Sequence, residues 1–93
     1  MIIAKVVGNL WATRKEESLV GRKLMIVQPA GLDGETRGEC FVAVDNIAAG
    51  VGEMVLVAQG SSARKAIGQT DSPVDAVIVA IIDIHEVLSE QTH

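Results

Sequence analysis

Near the N-terminus apolar side chains recur at alternate positions. Ile2, Ala4, Val6, Leu10 and Ala12 fall on one side, with Lys5, Asn9 and Thr13 on the other. A period of two is the pattern of a half-buried strand, predicted over residues 2–13. Gly8 in its middle predicts a bulge or bend of the kind small barrels use to curl a strand. A charged turn at 14–18 and Gly21 lead into a second strand over 22–28, which Pro29 ends because it donates no backbone hydrogen bond. Residues 30–39 hold three glycines and four charges, a surface loop or hairpin tip. A third strand is predicted over 40–46, then a glycine-punctuated segment at 48–52 and a fourth strand over 53–59.

One segment breaks the strand pattern. Residues 60–68 predict the single helix, with Ser61 or Ser62 as N-cap, helix formers from Ala63 to Ile67, and Gly68 at the C-terminal cap. After a polar loop around Asp71 and Pro73, residues 76–83 run apolar without alternation, which indicates a strand buried on both faces. The polar tail, about 85–93, is expected to fray. The expectation is a mostly β chain: a small five-stranded β-barrel related to the OB type, with one short helix placed later than that type usually has it.

Composition supports this and narrows the function. Of 93 residues, 13 are Val and 9 are Ile, and these χ1-stiff side chains suit a pleated surface. Trp11 and Phe41 are the two aromatics, so the interior must be built from aliphatics. A chain this short forms one domain, residues 1–93. Net charge is −4, which argues against a general nucleic-acid or anionic-membrane binder. The longest wholly apolar run, residues 76–82, is far short of the ~20 that span a bilayer. No export signal is visible, and Cys40 has no second cysteine to pair with, which fits a reducing cytosol.

Candidate chemistry is sparse. Ser61 or Ser62 with His85 and one of Asp45, Asp71, Asp75 or Asp83 could be written as a hydrolase triad. No nucleophile-elbow pattern surrounds either serine, and a capping role is favoured; the chain is not expected to be an enzyme. Cys40, His85 and His93 lack partners at metal-ligand spacing, so no metal or cofactor is expected, and Cys40 is expected to be a small buried hydrophobe. Gly50-Val51-Gly52 lacks the rest of a dinucleotide fingerprint. Gly60 to Arg64 opens a helix but lacks the phosphate-loop lysine. A single-strand nucleic-acid module remains the rival reading of the barrel, weakened by two aromatics and negative charge.

Assembly is the remaining function. A small Val- and Ile-rich domain with mean hydropathy +0.34 has apolar surface to cover, and oligomerisation is one common solution. Arg64, beside small residues 61–63, is either an exposed helix arginine or a charge-assisted donor to a neighbouring subunit.

The chain also resembles a known family. The motifs begin with Ala12-Thr13-Arg14-Lys15 and Leu19-Val20-Gly21-Arg22-Lys23-Leu24, followed by Val42-Ala43-Val44-Asp45 and Ala49-Gly50-Val51-Gly52-Glu53. They continue with Val55-Leu56-Val57, Gly60-Ser61-Ser62-Ala63-Arg64, Pro73-Val74-Asp75-Ala76 and a last strand to Ile82-Asp83. In this order, over residues 1 to about 84, they resemble the EutN/CcmL family of pentameric vertex proteins from bacterial microcompartment shells. The resemblance implies a cytoplasmic shell protein in a cyclic homopentamer, partnered by hexameric and trimeric shell proteins, with neither nucleic acid nor membrane as partner. Hexagonal facets cannot close into a polyhedron without fivefold points, and a ring contact that closes after five copies supplies one.

By the same resemblance, Asp45, Gly50, Gly52, Gly60, Ser61, Ser62, Ala63 and Arg64 are the candidate subunit contacts. The carboxylate that meets Arg64 is open among Asp45, Glu53 and Asp75. Two positions depart from the family pattern: Ala48 stands where glycine is common, and Trp11 where an aliphatic is more usual. Trp11 either packs in the barrel or stands exposed at a facet contact.

Overall fold

The structure, a computed structural model, describes residues 1–11, 17–68 and 74–83. Five strands form one closed barrel: β1 (Ile2–Leu10), β2 (Lys23–Pro29), β3 (Phe41–Asp45), β4 (Met54–Gln59) and β5 (Ala76–Ile81). The order around the barrel is β1-β2-β3-β5-β4, and β4 returns to pair with β1. All pairings are antiparallel except β3 with β5. One short helix, α1 (Ser61–Ala66), joins β4 to β5, and a 3-10 turn (Glu17–Leu19) precedes β2. The barrel and the late helix agree with the expectation from pattern. The triad candidates Asp71 and His85, together with His93, Ala12, Pro73 and the tail, lie outside the described residues.

Side chains on the two faces of the barrel wall build two apolar clusters. The interior holds Ala4, Val6, Met25, Val27, Ala43, Ala49, Val55, Val57, Ala76 and Ile78, with Ile2 and Phe41 packed at its margin. The second cluster lies on the outer face. Leu24 opposes Val44, Val44 opposes Val77, and Val77 opposes Ala58, which makes one apolar row across β2, β3, β5 and β4. Ala63 of α1, Val74, Leu19 and Ile67 pack over this row. The start of β5 is therefore buried on both faces, since Ala76 and Ile78 point inward while Val77 points outward.

Gly8 marks a register shift in β1, as its position in the pattern predicts. The extra residue has a consequence that simple alternation misses. Val6 opposes Val27 and both are interior, but beyond the bulge Leu10 opposes Leu24 on the outer face. Leu10 is therefore exposed instead of sharing the inner face of Ala4 and Val6. Trp11, just past the strand, is 89% exposed, so it is not packed in the barrel.

Two further expectations are corrected. Cys40 is exposed, not buried, because β3 pairing begins one residue later, where Phe41 opposes Val27. Neither Ser61 nor Ser62 caps α1. The N-cap is Gly60, with no side-chain cap hydrogen bond, and its φ of 63° lies in the left-handed region that favours glycine. The helix starts one position before the capping pattern predicted, which leaves both serines in its first turn. Gly68 does follow the helix with positive φ, its N–H donating to the Lys65 carbonyl.

Candidate subunit-contact site

The eight candidate residues fall in two segments. The first runs from Asp45 to Gly52, between β3 and β4. Asp45 Oδ1 accepts the Ile47 N–H at 2.9 Å, and the Glu53 carboxylate accepts the Gly50 N–H. Gly52 N–H donates to the Val6 carbonyl at 2.8 Å, and Val6 N–H returns to the Glu53 carbonyl at 3.0 Å. Ala49 is wholly buried in the barrel interior. These links to β1 and to the core give the loop a defined shape, with Val51 left exposed at its tip.

Ala48 adopts φ 59° in this loop, the sole positive value of a non-glycine residue among those described. The geometry explains why glycine suits the position: a Cβ in the left-handed region crowds the following carbonyl.

The second segment runs from Gly60 to Arg64. The Gly60 N–H donates to the Asp75 carbonyl at 2.8 Å, and the Gly60 carbonyl accepts from Ala63 N–H and Arg64 N–H. Ala63 is buried in the outer cluster and anchors the helix, whereas Ser61 and Ser62 are exposed. Arg64 is half-buried, and its Nη1 donates to the Val74 carbonyl at 3.5 Å. That is longer than the usual range of about 2.7–3.2 Å.

Tertiary structure brings only part of these segments near each other. Asp45 pairs with Ile78, two residues into β5, and its neighbour Val44 packs with Ala63 and Val74, so the end of β3 lies on the side of α1. Gly50 and Gly52 instead sit before the start of β4, separated from Gly60–Arg64 by the length of that strand. The three open carboxylates also differ. Glu53 is engaged within its own loop, and Asp75 is exposed. Asp45 is 7% exposed, and its Oδ2 is buried without a hydrogen-bond partner.

Pattern alone missed a third feature. Leu19, Leu24, Val42, Val44, Val74, Asp75 and Ala76 line an apolar groove of about 210 Å³ on the outer face. Exposed Val42 lies in it and exposed Val20 lies beside Leu19. The groove needs the strand register to exist, so no local motif announces it. Among the described residues no group of three or more His, Cys, Asp or Glu could hold a metal, and no helix is long and apolar enough to cross a membrane.

The class defined here is a small closed barrel whose candidate contact residues lie in a loop and at the start of α1, beside an apolar outer groove. The particular family is also shown. The model of the family described as "Ethanolamine utilisation protein EutN/carboxysome" matches residues 1–83, and the chain belongs to that family. The carboxysome shell vertex protein CcmL of Thermosynechococcus vestitus is 48% identical over 83 residues, covering 89% of this chain and 84% of its own. The microcompartment shell vertex protein EutN of Escherichia coli is 43% identical, with 89% and 87% covered. Among solved structures, the pentameric microcompartment shell protein GrpN of Rhodospirillum rubrum superposes with a TM-score of 0.80 at 41% identity, covering 89% of this chain and 94% of its own.

Proposed function

We propose that this chain is a structural shell protein that forms homopentamers and caps the fivefold vertices of a bacterial microcompartment in the cytoplasm. The observation that carries the reading is the family match over residues 1–83, joined to relatives named as shell vertex proteins and a superposing pentameric shell protein. On this reading the chain acts as one domain and catalyses no reaction. Hexameric and trimeric shell proteins are its partners at the facet edge, and it takes neither cofactor nor nucleic acid. Ring contacts are assigned to the two segments Asp45–Gly52 and Gly60–Arg64. Exposed Ser61 and Ser62 and the separation of Gly50 and Gly52 from them by the length of β4 support this, because a head-to-tail ring joins two unlike patches of the same chain.

Native mass spectrometry of the purified chain tests the reading. Five copies of 9.8 kDa give about 49 kDa, and that mass is the expected result. A stable monomer would sink the vertex role. Arg64→Glu is expected to weaken the ring, and an unchanged oligomer mass would remove Arg64 from the contact.

A further inference from the structure

We propose that the ring contact seats Val51 of one copy in the outer apolar groove of the next, between β2, β3 and the chain entering β5. The inference rests on the pentameric reading and names the projection and the socket of its contact.

The socket is open in a single chain. Leu24 of β2, Val42 and Val44 of β3, and Val74 before β5 line about 210 Å³ on the outer wall, with Leu19 at the border. Val42 stays exposed there, as does Val20 beside Leu19. An aliphatic side chain entering such a groove removes apolar surface on both partners from water. The groove also adjoins a segment assigned to the contact. The Asp75 carbonyl accepts the Gly60 N–H, and the Val74 carbonyl accepts from Arg64.

The projection is held ready by its own loop. Glu53 N–H donates to the Gly50 carbonyl at 3.1 Å, which closes a four-residue turn with Val51 and Gly52 at its centre. Gly52 takes φ 95° at the third place of that turn, where a type II turn needs glycine. Gly52 and Glu53 tie the turn to Val6 of β1, and Ala49 behind it is packed in the barrel interior. Val51 is nevertheless 58% exposed. A β-branched side chain on a fixed turn has little freedom to lose on docking.

The groove of its own chain is out of Val51's reach. That groove centres on β3, whose neighbours are β2 and β5, whereas the turn sits against β1 where β1 pairs with β4. These are different sides of the barrel. A pocket on one side and a matching projection on another make a heterologous contact, which repeats from copy to copy until the ring closes. Charge agrees with this docking. Asp75 is the one charged residue among the described lining of the groove, and it is exposed. Lys5 lies on the outward face of β1, between inward Ala4 and Val6 and opposite Met54, beside the turn. An ammonium therefore arrives with the projection at a socket that carries a carboxylate.

Charge-swap complementation on the full chain tests the contact, with ring dissociation followed by native mass across a dilution series. Val51→Lys and Val42→Asp are each expected to raise the dissociation concentration at least about tenfold, since each places a charge in an apolar contact. Combined in one chain, they are expected to dissociate at a concentration at least about tenfold below what independent effects would give, because the lysine of each copy meets the aspartate of the next. Leu32→Asp, comparably exposed but in the 30–39 loop, is expected to leave the ring unchanged.

Losses that simply add in the double variant would overturn the pairing, and so would a Val51→Lys ring as stable as the native one. Should Val42→Asp fail to fold, thiol protection decides. In a chain carrying Cys40→Ser, the thiols of Val51→Cys and Val42→Cys, introduced separately, are each expected to react with a maleimide at least about tenfold more slowly in the ring than in dissociated subunits. Equal rates at either position overturn the proposal. A native chain that is not a pentamer defeats the underlying reading instead, so the two failures are distinct.

Discussion

The inner and outer faces of the barrel wall are built from the same aliphatic residues but differ in completeness. Inside, Val6, Met25, Val27, Val55, Val57 and Ile78 are fully buried by neighbours from the same chain, and Ala49 fills the space beneath the 46–52 loop. Outside, the row Leu24, Val44, Val77 is covered at one end by α1 and Val74, and the groove beside it leaves Val42 43% exposed. A closed barrel has no edge and needs no partner to finish its ladder. Its outer face has no such closure, and six helical residues are too few to roof it. The difference separates a complete fold from an incomplete surface: one chain suffices for the barrel, while its outer face and loops remain available for assembly.

The largest effect should come from the inner face. Ile78→Ala leaves a cavity at a fully buried site and is expected to cost about 2–5 kcal/mol in urea unfolding. A loss near zero would mean that the interior is less tightly packed than the burial indicates. Gly60→Ala comes next. Nothing lies within 4 Å of its added Cβ, so the cost is backbone strain at φ 63° and ψ −138°, about 1–3 kcal/mol. Thermal unfolding would register this as a lower midpoint.

Ala48→Gly should act in the opposite direction. Relief of a left-handed alanine is expected to stabilise the subunit by about 1 kcal/mol, offset in part by the flexibility glycine adds to the unfolded chain. A lower unfolding midpoint would show that the alanine methyl makes a contact worth more than the strain. The smallest effect belongs to the surface pair Arg37 and Asp33, whose atoms meet at 2.7 Å in the 30–39 loop but stand in solvent. Arg37→Ala is expected to change stability by less than about 0.5 kcal/mol. A clear loss would mark that loop as part of the fold instead of an appendage.

Several of these distinctions were legible along the chain and several were not. Period-two alternation located the strands, and the unbroken apolar run of β5 marked a strand that is buried on both sides only over Ala76–Ile78, since Ile81 is exposed. Gly8 announced a bulge, but the reversal of Leu10 depended on which partner residues the bulge skipped. The serines of the 60–64 segment fit a capping pattern, yet the turn from β4 into α1 demands a left-handed residue at Gly60 and pushes the serines into the first turn. For Cys40 the apolar character of the neighbouring strand suggested burial. Pairing starts at Phe41, and that one-residue difference leaves the thiol in solvent.

The candidate contacts divide in the same way. Their positions followed from ordered motifs, because local glycine and small-residue patterns are visible one after another in a linear chain. Their relation in space did not. Only the parallel pairing of β3 with β5, across an otherwise antiparallel barrel, sets Asp45 beside Ile78 and packs its neighbour Val44 with Ala63 and Val74. Only burial shows that one of the three carboxylates lacks a donor. By itself, then, the sequence determined the strands, the helix, the aliphatic interior and the family, since these depend on side-chain type and short-range spacing. Tertiary structure alone decided which atoms are buried, which face each residue past a bulge occupies, and which polar group is left unpaired, because those depend on register between strands far apart in the chain.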